Sequence, residues 1–121
     1  MADIPAVWEV EFTDEFEQWW DNLTDEAQEV VGARVLLLEA HGPNLGYPHS
    51  SAVKNARYPL RELRVQYRGA PLRVLYVFDP RRSAILLLGG DKTGDDRWYE
   101  KFVPLAEKLY LSHLETLNSG S

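Results

Sequence analysis

The stretch LRELRVQY-RGAP-LRVLYVF-DPRR-SAILLL, residues 60–88, decides the fold. In Leu60–Tyr67 the apolar Leu63, Val65 and Tyr67 alternate with Glu62, Arg64 and Gln66, the period-two pattern of a strand. Leu72–Phe78 repeats the pattern, with Leu72, Val74, Tyr76 and Phe78 on one face and Arg73, Leu75 and Val77 on the other. Arg68-Gly69-Ala70-Pro71 and Asp79-Pro80-Arg81-Arg82 carry the residues of tight turns. Ser83–Leu88 is a nearly continuous apolar run, as expected of a central strand. Connections this short join neighbouring strands antiparallel, so the stretch predicts a three-stranded meander.

Upstream, Val7–Phe12 alternates with Trp8, Val10 and Phe12 on one side and predicts a first strand. Thr13 offers an N-cap hydroxyl, and Asp14, Glu15 and Glu17 fall in the first turn, where a helix favours negative charge. Phe16, Trp19, Trp20 and Leu23 follow at helical spacing. Thr24, with Asp25 and Glu26 behind it, opens a second helix carrying Ala27, Val30, Val31, Leu37 and Leu38, which Gly42-Pro43 ends. Residues 42–59, rich in Gly, Pro, Asn and Ser, predict a long irregular connection, and loops of that length in a small domain are commonly functional or mobile. Downstream, Asp91–Asp96 is polar and Arg97–Phe102 predicts a short helix. Pro104 suits the first position of a new helix, so Pro104–Leu117 is expected to be separate, with Leu105, Ala106, Leu109 and Leu114 against the sheet. Residues 118–121 suggest a frayed tail. The order is βααβββα: one α+β domain over 1–121, with a helical hairpin and a C-terminal helix on a small antiparallel sheet.

Composition narrows the function. The 121 residues contain no cysteine, 45% hydrophobic and 26% charged residues, which fits one ordinary globular domain. Without cysteine there is no disulfide, thiolate metal site or thiol nucleophile, and His41, His49 and His113 lack metal-ligand spacing. No apolar run approaches the roughly 20 residues that span a bilayer. The N-terminus lacks the basic and apolar regions of a secretion signal, so the expectation is a cytoplasmic protein with no membrane partner, metal or cofactor.

The net charge of −6 hides a segregation. Residues 1–40 hold eleven acids against Arg34 alone. Residues 41–82 hold eight bases, seven of them arginine, against only Glu62 and Asp79. Such asymmetry points to an anionic partner for the middle block, because arginine pairs bidentately with phosphate and stacks on bases. The plainer alternative is that the basic middle neutralises the acidic first third within the fold. Paired catalytic carboxylates, a Ser-His-Asp set and a glycine-rich phosphate loop are all missing. Gly89-Gly90-Asp91-Lys92-Thr93 lacks the leading glycine of a phosphate loop and follows the wrong elements.

What remains is a cluster of bases around the sheet. Arg64 and Arg73 fall on adjacent strands, away from the regular apolar row. Lys92 follows the third strand of the meander, and Lys54, Arg57 and Arg61 precede the first. Tyr58 and Tyr99 are available for stacking. Each has a plainer structural use: Arg64 can pair with Glu62, Tyr99 can be half-buried, and His49 can be a solvated loop residue. Lys92, beside Asp91 and two glycines, has no obvious packing duty. Arg64, Arg73 and Lys92 are expected to converge on one concave face, with Arg73 and Lys92 exposed.

Four motifs in order carry a resemblance. They are Glu62-Leu63-Arg64; Arg73-Val74-Leu75-Tyr76-Val77-Phe78-Asp79-Pro80; Ile85–Leu88 with Gly89-Gly90-Asp91-Lys92; and Trp98-Tyr99 followed by Pro104–Tyr110 and His113-Leu114. Over roughly residues 7–117 the chain resembles the RelE/HigB superfamily of toxin–antitoxin toxins. The resemblance implies a RelE-like fold and a metal-independent, ribosome-dependent mRNA endonuclease, an mRNA interferase that halts translation and growth. It also implies a helix-turn-helix antitoxin as partner, with operator DNA met only through that antitoxin. In that chemistry a 2′-hydroxyl attacks the adjacent phosphate while cations stabilise the developing charge. Carried over by motif, Arg64 and Arg73 become phosphate stabilisers and Lys92 a stabiliser or proton shuttle. Lys54, Arg57, Arg61, Arg68 and Tyr99 become RNA contacts. No residue aligns with the histidine or tyrosine acid that many members carry near the C-terminus, for which Tyr99 and His49 are the substitutes. Two alternatives remain: a toxin of the same fold that inhibits a topoisomerase by binding, and a catalytically inactive co-regulator acting with its antitoxin.

Overall fold

The computed structural model describes residues 7–119. The meander forms as the alternation predicts: β3 (Arg61–Tyr67), β4 (Ala70–Phe78) and β5 (Ala84–Asp91) pair antiparallel in sequence. The β3–β4 hairpin turns on Arg68 and Gly69, both at positive φ (50° and 81°), which matches the two-residue turns whose twist suits antiparallel strands. The second turn is built around Asp79. Its buried carboxylate accepts from the Arg81 and Ser83 amides, the Arg81 guanidinium and His113 Nε2.

The helical hairpin also forms where its caps predict. Thr13 Oγ1 accepts from the Phe16 amide to open α1 (Asp14–Asp21), and Thr24 Oγ1 accepts from the Ala27 amide to open α2 (Asp25–His41). Both helices carry carboxylates in their first turns, complementing the dipole. A 3-10 turn over Gly42–Asn44 follows.

Four expectations need correction. The first strand is β1 (Val10–Phe12), shorter than Val7–Phe12, and it runs parallel to β5, so the sheet is mixed rather than antiparallel throughout. The α1–α2 hairpin separates β1 from the rest of the sheet in sequence, a crossover long enough for parallel pairing. The irregular connection contains an extra strand, β2 (Ser50–Ala52), antiparallel to β3, and the sheet order becomes β1-β5-β4-β3-β2. Three residues flanked by turn formers give too short an alternation to be seen. Third, α3 (Trp98–Ser119) runs unbroken through Pro104. Pro104 and Glu100 are both exposed, so the carbonyl that loses its donor faces water instead of core. Fourth, the continuous helix sets its phase from Trp98, burying Trp98, Val103, Ala106 and Tyr110 and leaving Leu105 46% exposed. Residues 1–6, read for a secretion signal, and 120–121, part of the suggested tail, lie outside the described residues.

The hairpin and α3 sit on opposite faces of the sheet. Leu63, Val65, Leu72, Val74, Tyr76 and Leu86 pack with Phe16, Val31 and Leu38 in one core. The alternate residues Leu75, Val77, Ile85 and Leu87 pack with Trp98, Val103, Ala106 and Tyr110 in the other. This two-sided cover explains the apolar run of β5. It also explains Gly89-Gly90: a Cβ on Gly89 would overlap the Trp19 indole, and one on Gly90 would lie 2.8 Å from Trp98 on the other face. The glycine pair therefore belongs to a strand pressed between two tryptophans and forms no loop.

Candidate functional site

On the α3 side, Leu75 and Val77 lie in the apolar core, whereas Glu62, Arg64 and Arg73 supply polar groups further along the same face. The β3–β4 register sets Arg64 directly opposite Arg73, and Arg73 opposite Gly90 of β5. Like charges facing each other across strands repel. Glu62, two residues before Arg64 and hence on the same face, offsets this. Its Oε1 lies 3.1 Å from Arg73 Nε, off the line of a hydrogen bond, and its Oε2 lies 4.0 Å from Arg64 Nη1.

Glu62 is the hub of this end of the sheet. Tyr99, in the first turn of α3, donates its hydroxyl to Glu62 Oε1 at 2.5 Å, and Ser51 of β2 donates to Oε2 at 3.2 Å. Burial raises the Tyr99 pKa above its ordinary value, and the hydrogen bond to the Glu62 carboxylate raises it further, so the phenol keeps its proton. Lys92 Nζ sits 5.3 Å from the centre of the Tyr99 ring, a cation–π distance. The turn carrying Lys92 is fastened by Asp91, which accepts from the Thr93 amide and hydroxyl, and by the Lys92 amide donating to the Pro71 carbonyl.

Arg64, Arg73 and Lys92 are thus brought into one connected group, the last through Tyr99. Lys92 and Arg64 are partly exposed, but the Arg73 side chain is only 6% exposed, against the expectation of an exposed residue. Arg73 lies in the middle strand of the meander, between Arg64 and Gly90, and burial there requires the Glu62 counter-charge. A groove of about 630 Å³ runs past Glu62, Arg64 and Tyr99 to Ser51, Lys54 and Tyr47. Tyr47 is 77% exposed and has the Arg64 guanidinium 5.3 Å from its ring centre.

The other bases stand apart. Arg61, the residue before Glu62, falls on the other face of the sheet, and its guanidinium donates to Ser50, Tyr76 and the Leu45 carbonyl. Arg68, at the hairpin tip, pairs with Glu26 of α2 at 2.5 Å. Arg57 is exposed near α3, where its amide donates to Glu107. Lys54 alone of the four lines the groove. Among the described residues, no group of three His, Cys, Asp or Glu is placed to hold a metal ion, and no helix is long and apolar enough to cross a membrane.

Two residues of this region stand outside the set that the sequence predicts: Glu62, and Arg34, whose Nη1 meets His49 Nδ1 beside Arg64. Burial lowers the Arg34 pKa from its ordinary value. Glu62 was legible from its shared face with Arg64. Arg34 was not, because it approaches from α2 around the edge of the sheet.

Comparison with known proteins finds relatives for this chain. A family profile described as phage derived protein Gp49-like (DUF891) matches residues 18–111. HigB3 of Mycobacterium tuberculosis, named as a toxin, is 41% identical over 106 residues, covering 86% of this chain and 91% of HigB3. HigB2 of the same organism is 36% identical over 99 residues, and there the match covers 79% of this chain but about half (49%) of HigB2. An arginine-to-alanine double variant of E. coli toxin RelE in the free state superposes with a TM-score of 0.56 at 10% identity, over 78% of this chain and 93% of RelE. The isolated RelE toxin gives 0.50 at 12% identity, over 77% and 93%. At such identities the likeness is one of fold.

Proposed function

The chain belongs to the Gp49-like family and to the RelE/HigB superfamily of toxins, and from that premise we propose that it is the toxin of a type II toxin–antitoxin pair. Its activity is metal-independent cleavage of mRNA on the ribosome, which stops translation and growth. One observation carries this reading: two arginines face each other across β3 and β4 with one shared carboxylate, next to a lysine at the strand end. That excess of positive charge on a half-open face suits a polyanion.

In the reaction a 2′-oxygen bonds to the adjacent phosphorus as the bond to the 5′-oxygen breaks. The 2′-hydroxyl proton leaves, a proton reaches the departing 5′-oxygen, and the products are a cyclic phosphate and a 5′-hydroxyl. Arg64 and Arg73 stabilise the extra charge on the phosphate, and Lys92 supplies a further cation or the proton. Glu62 and Tyr99 act as positioning residues that hold Arg73 and Lys92. Tyr47 and Lys54 extend the groove for stacking and backbone contact. The cognate helix-turn-helix antitoxin silences the protein by covering part of this basic face, and operator DNA is met only through the antitoxin.

The test is induced expression of Lys92→Ala beside the native chain, with a thermal melt of each. Loss of one preorganised donor costs about 3–4 kcal/mol of barrier, roughly a hundred- to thousandfold in rate. Growth arrest should disappear while the melt hardly changes. Full arrest by a well-folded Lys92→Ala protein removes that residue from the mechanism. Full arrest without RNA cleavage favours topoisomerase inhibition instead.

A further inference from the structure

A second cavity, about 310 Å³, opens beside the groove at the edge of the sheet. It is lined by Arg34 of α2, Tyr47 and His49 of the loop before β2, and Arg64, Gln66 and Arg73. Three guanidinium groups and a histidine therefore surround one space with no carboxylate in its lining. Glu62 lines the neighbouring groove and is already shared among Arg73, Arg64, Tyr99 and Ser51.

Arg34 is the informative member. Among the described residues no carboxylate pairs with it, and its buried Nε has no hydrogen-bond partner. Its Nη1 meets His49 Nδ1. A half-buried cation with an unused donor, next to two mutually repelling arginines, is costly unless an anion completes the set.

We propose that this cavity is a binding site for a phosphate group, in which Arg34 and His49 join Arg64 and Arg73. Arg64 and Tyr47 line both spaces, so a nucleic-acid backbone lying in the groove continues into the cavity. The assignment of that phosphate to RNA rests on the proposed function. The site itself, with Arg34 as its remote cation, does not.

The probes are inorganic phosphate and a short all-deoxy oligonucleotide, which lacks the attacking hydroxyl and cannot be cleaved. Each is titrated against the whole chain at constant ionic strength, with thermal stability and His49 ring chemical shifts as readouts. Phosphate should raise the melting temperature saturably and beyond matched chloride. Arg34→Met, which keeps the packing of the stem, should weaken the response about tenfold or more and should not lower the melt without phosphate. Gln66→Glu, at an exposed rim position, keeps the test decisive if Arg34→Met folds poorly, because a carboxylate there should abolish the phosphate response. A response equal in the native chain and both variants, or no larger than that to chloride, overturns the site. Binding of free phosphate with no added affinity for the oligonucleotide overturns the backbone assignment. Failure of the chain to cleave RNA overturns the proposed function and leaves the phosphate titration interpretable.

Discussion

Removing Glu62 should destabilise the protein more than its ion pair with Arg73 alone suggests, and removing Arg73 with it should restore much of the loss. Both side chains are nearly buried, at 7% and 6% exposure, and 3.1 Å apart. Glu62→Leu leaves the Arg73 charge with Arg64 as its cross-strand neighbour, and deprives Tyr99 and Ser51 of their acceptor. Breaking a buried pair from one side costs about 3–5 kcal/mol. For a domain of this size that is roughly 10–20 °C in melting temperature. Replacing both partners with apolar residues of similar volume is often neutral, so Glu62→Leu/Arg73→Met should recover at least half of the single-variant loss. Urea melts of the native chain, both singles and the double complete the cycle. Losses that add to within about 0.5 kcal/mol would show that the two side chains do not interact and would refute the hub.

Asp79→Asn should cost about 2–3 kcal/mol at pH 7, since the buried carboxylate accepts charge-assisted bonds. Burial alone would raise the Asp79 pKa, but bonds from His113, Arg81 and the Ser83 amide outweigh it and hold it below the usual carboxylate value. Its contribution is therefore full above about pH 4 and lost as pH falls through the lowered folded value, so acid melts of Asp79→Asn should show a shallower decline there. Gly89→Ala should cost about 1–3 kcal/mol or more, because the added Cβ overlaps Trp19, and a melt within a degree of native would refute the tight strand–helix contact. Thr13→Ala should cost about 1–2 kcal/mol, since Oγ1 both caps α1 and donates to the Leu87 carbonyl at 2.7 Å; urea melts report it.

Much of this architecture is legible in single residues. Thr13 and Thr24 mark two helix starts, and the alternation of residues 61–78 sets the register that brings Arg64 opposite Arg73. The parallel pairing of β1 and the short β2 are decided by long-range contacts that no local period records. Pro104 misleads because the rule against it concerns a buried or unsolvated carbonyl, and Glu100 is exposed. Around the groove, the motifs single out Arg64, Arg73 and Lys92, and burial sets them apart from one another. Arg73 is held inside by Glu62, Arg61 faces the other way, and Arg68 is occupied by Glu26. Arg34 enters from a helix on the far side of the sheet edge, and only the folded chain brings it to His49.

Mapping transcript 5′ ends after brief induction asks whether the face of Arg64, Arg73 and Lys92 breaks RNA, with the native chain beside Lys92→Ala at matched expression. New, discrete 5′ ends within translated regions should appear for the native chain and be lost in the variant. Growth arrest by the native chain with intact transcripts and altered DNA supercoiling would contradict cleavage by this face.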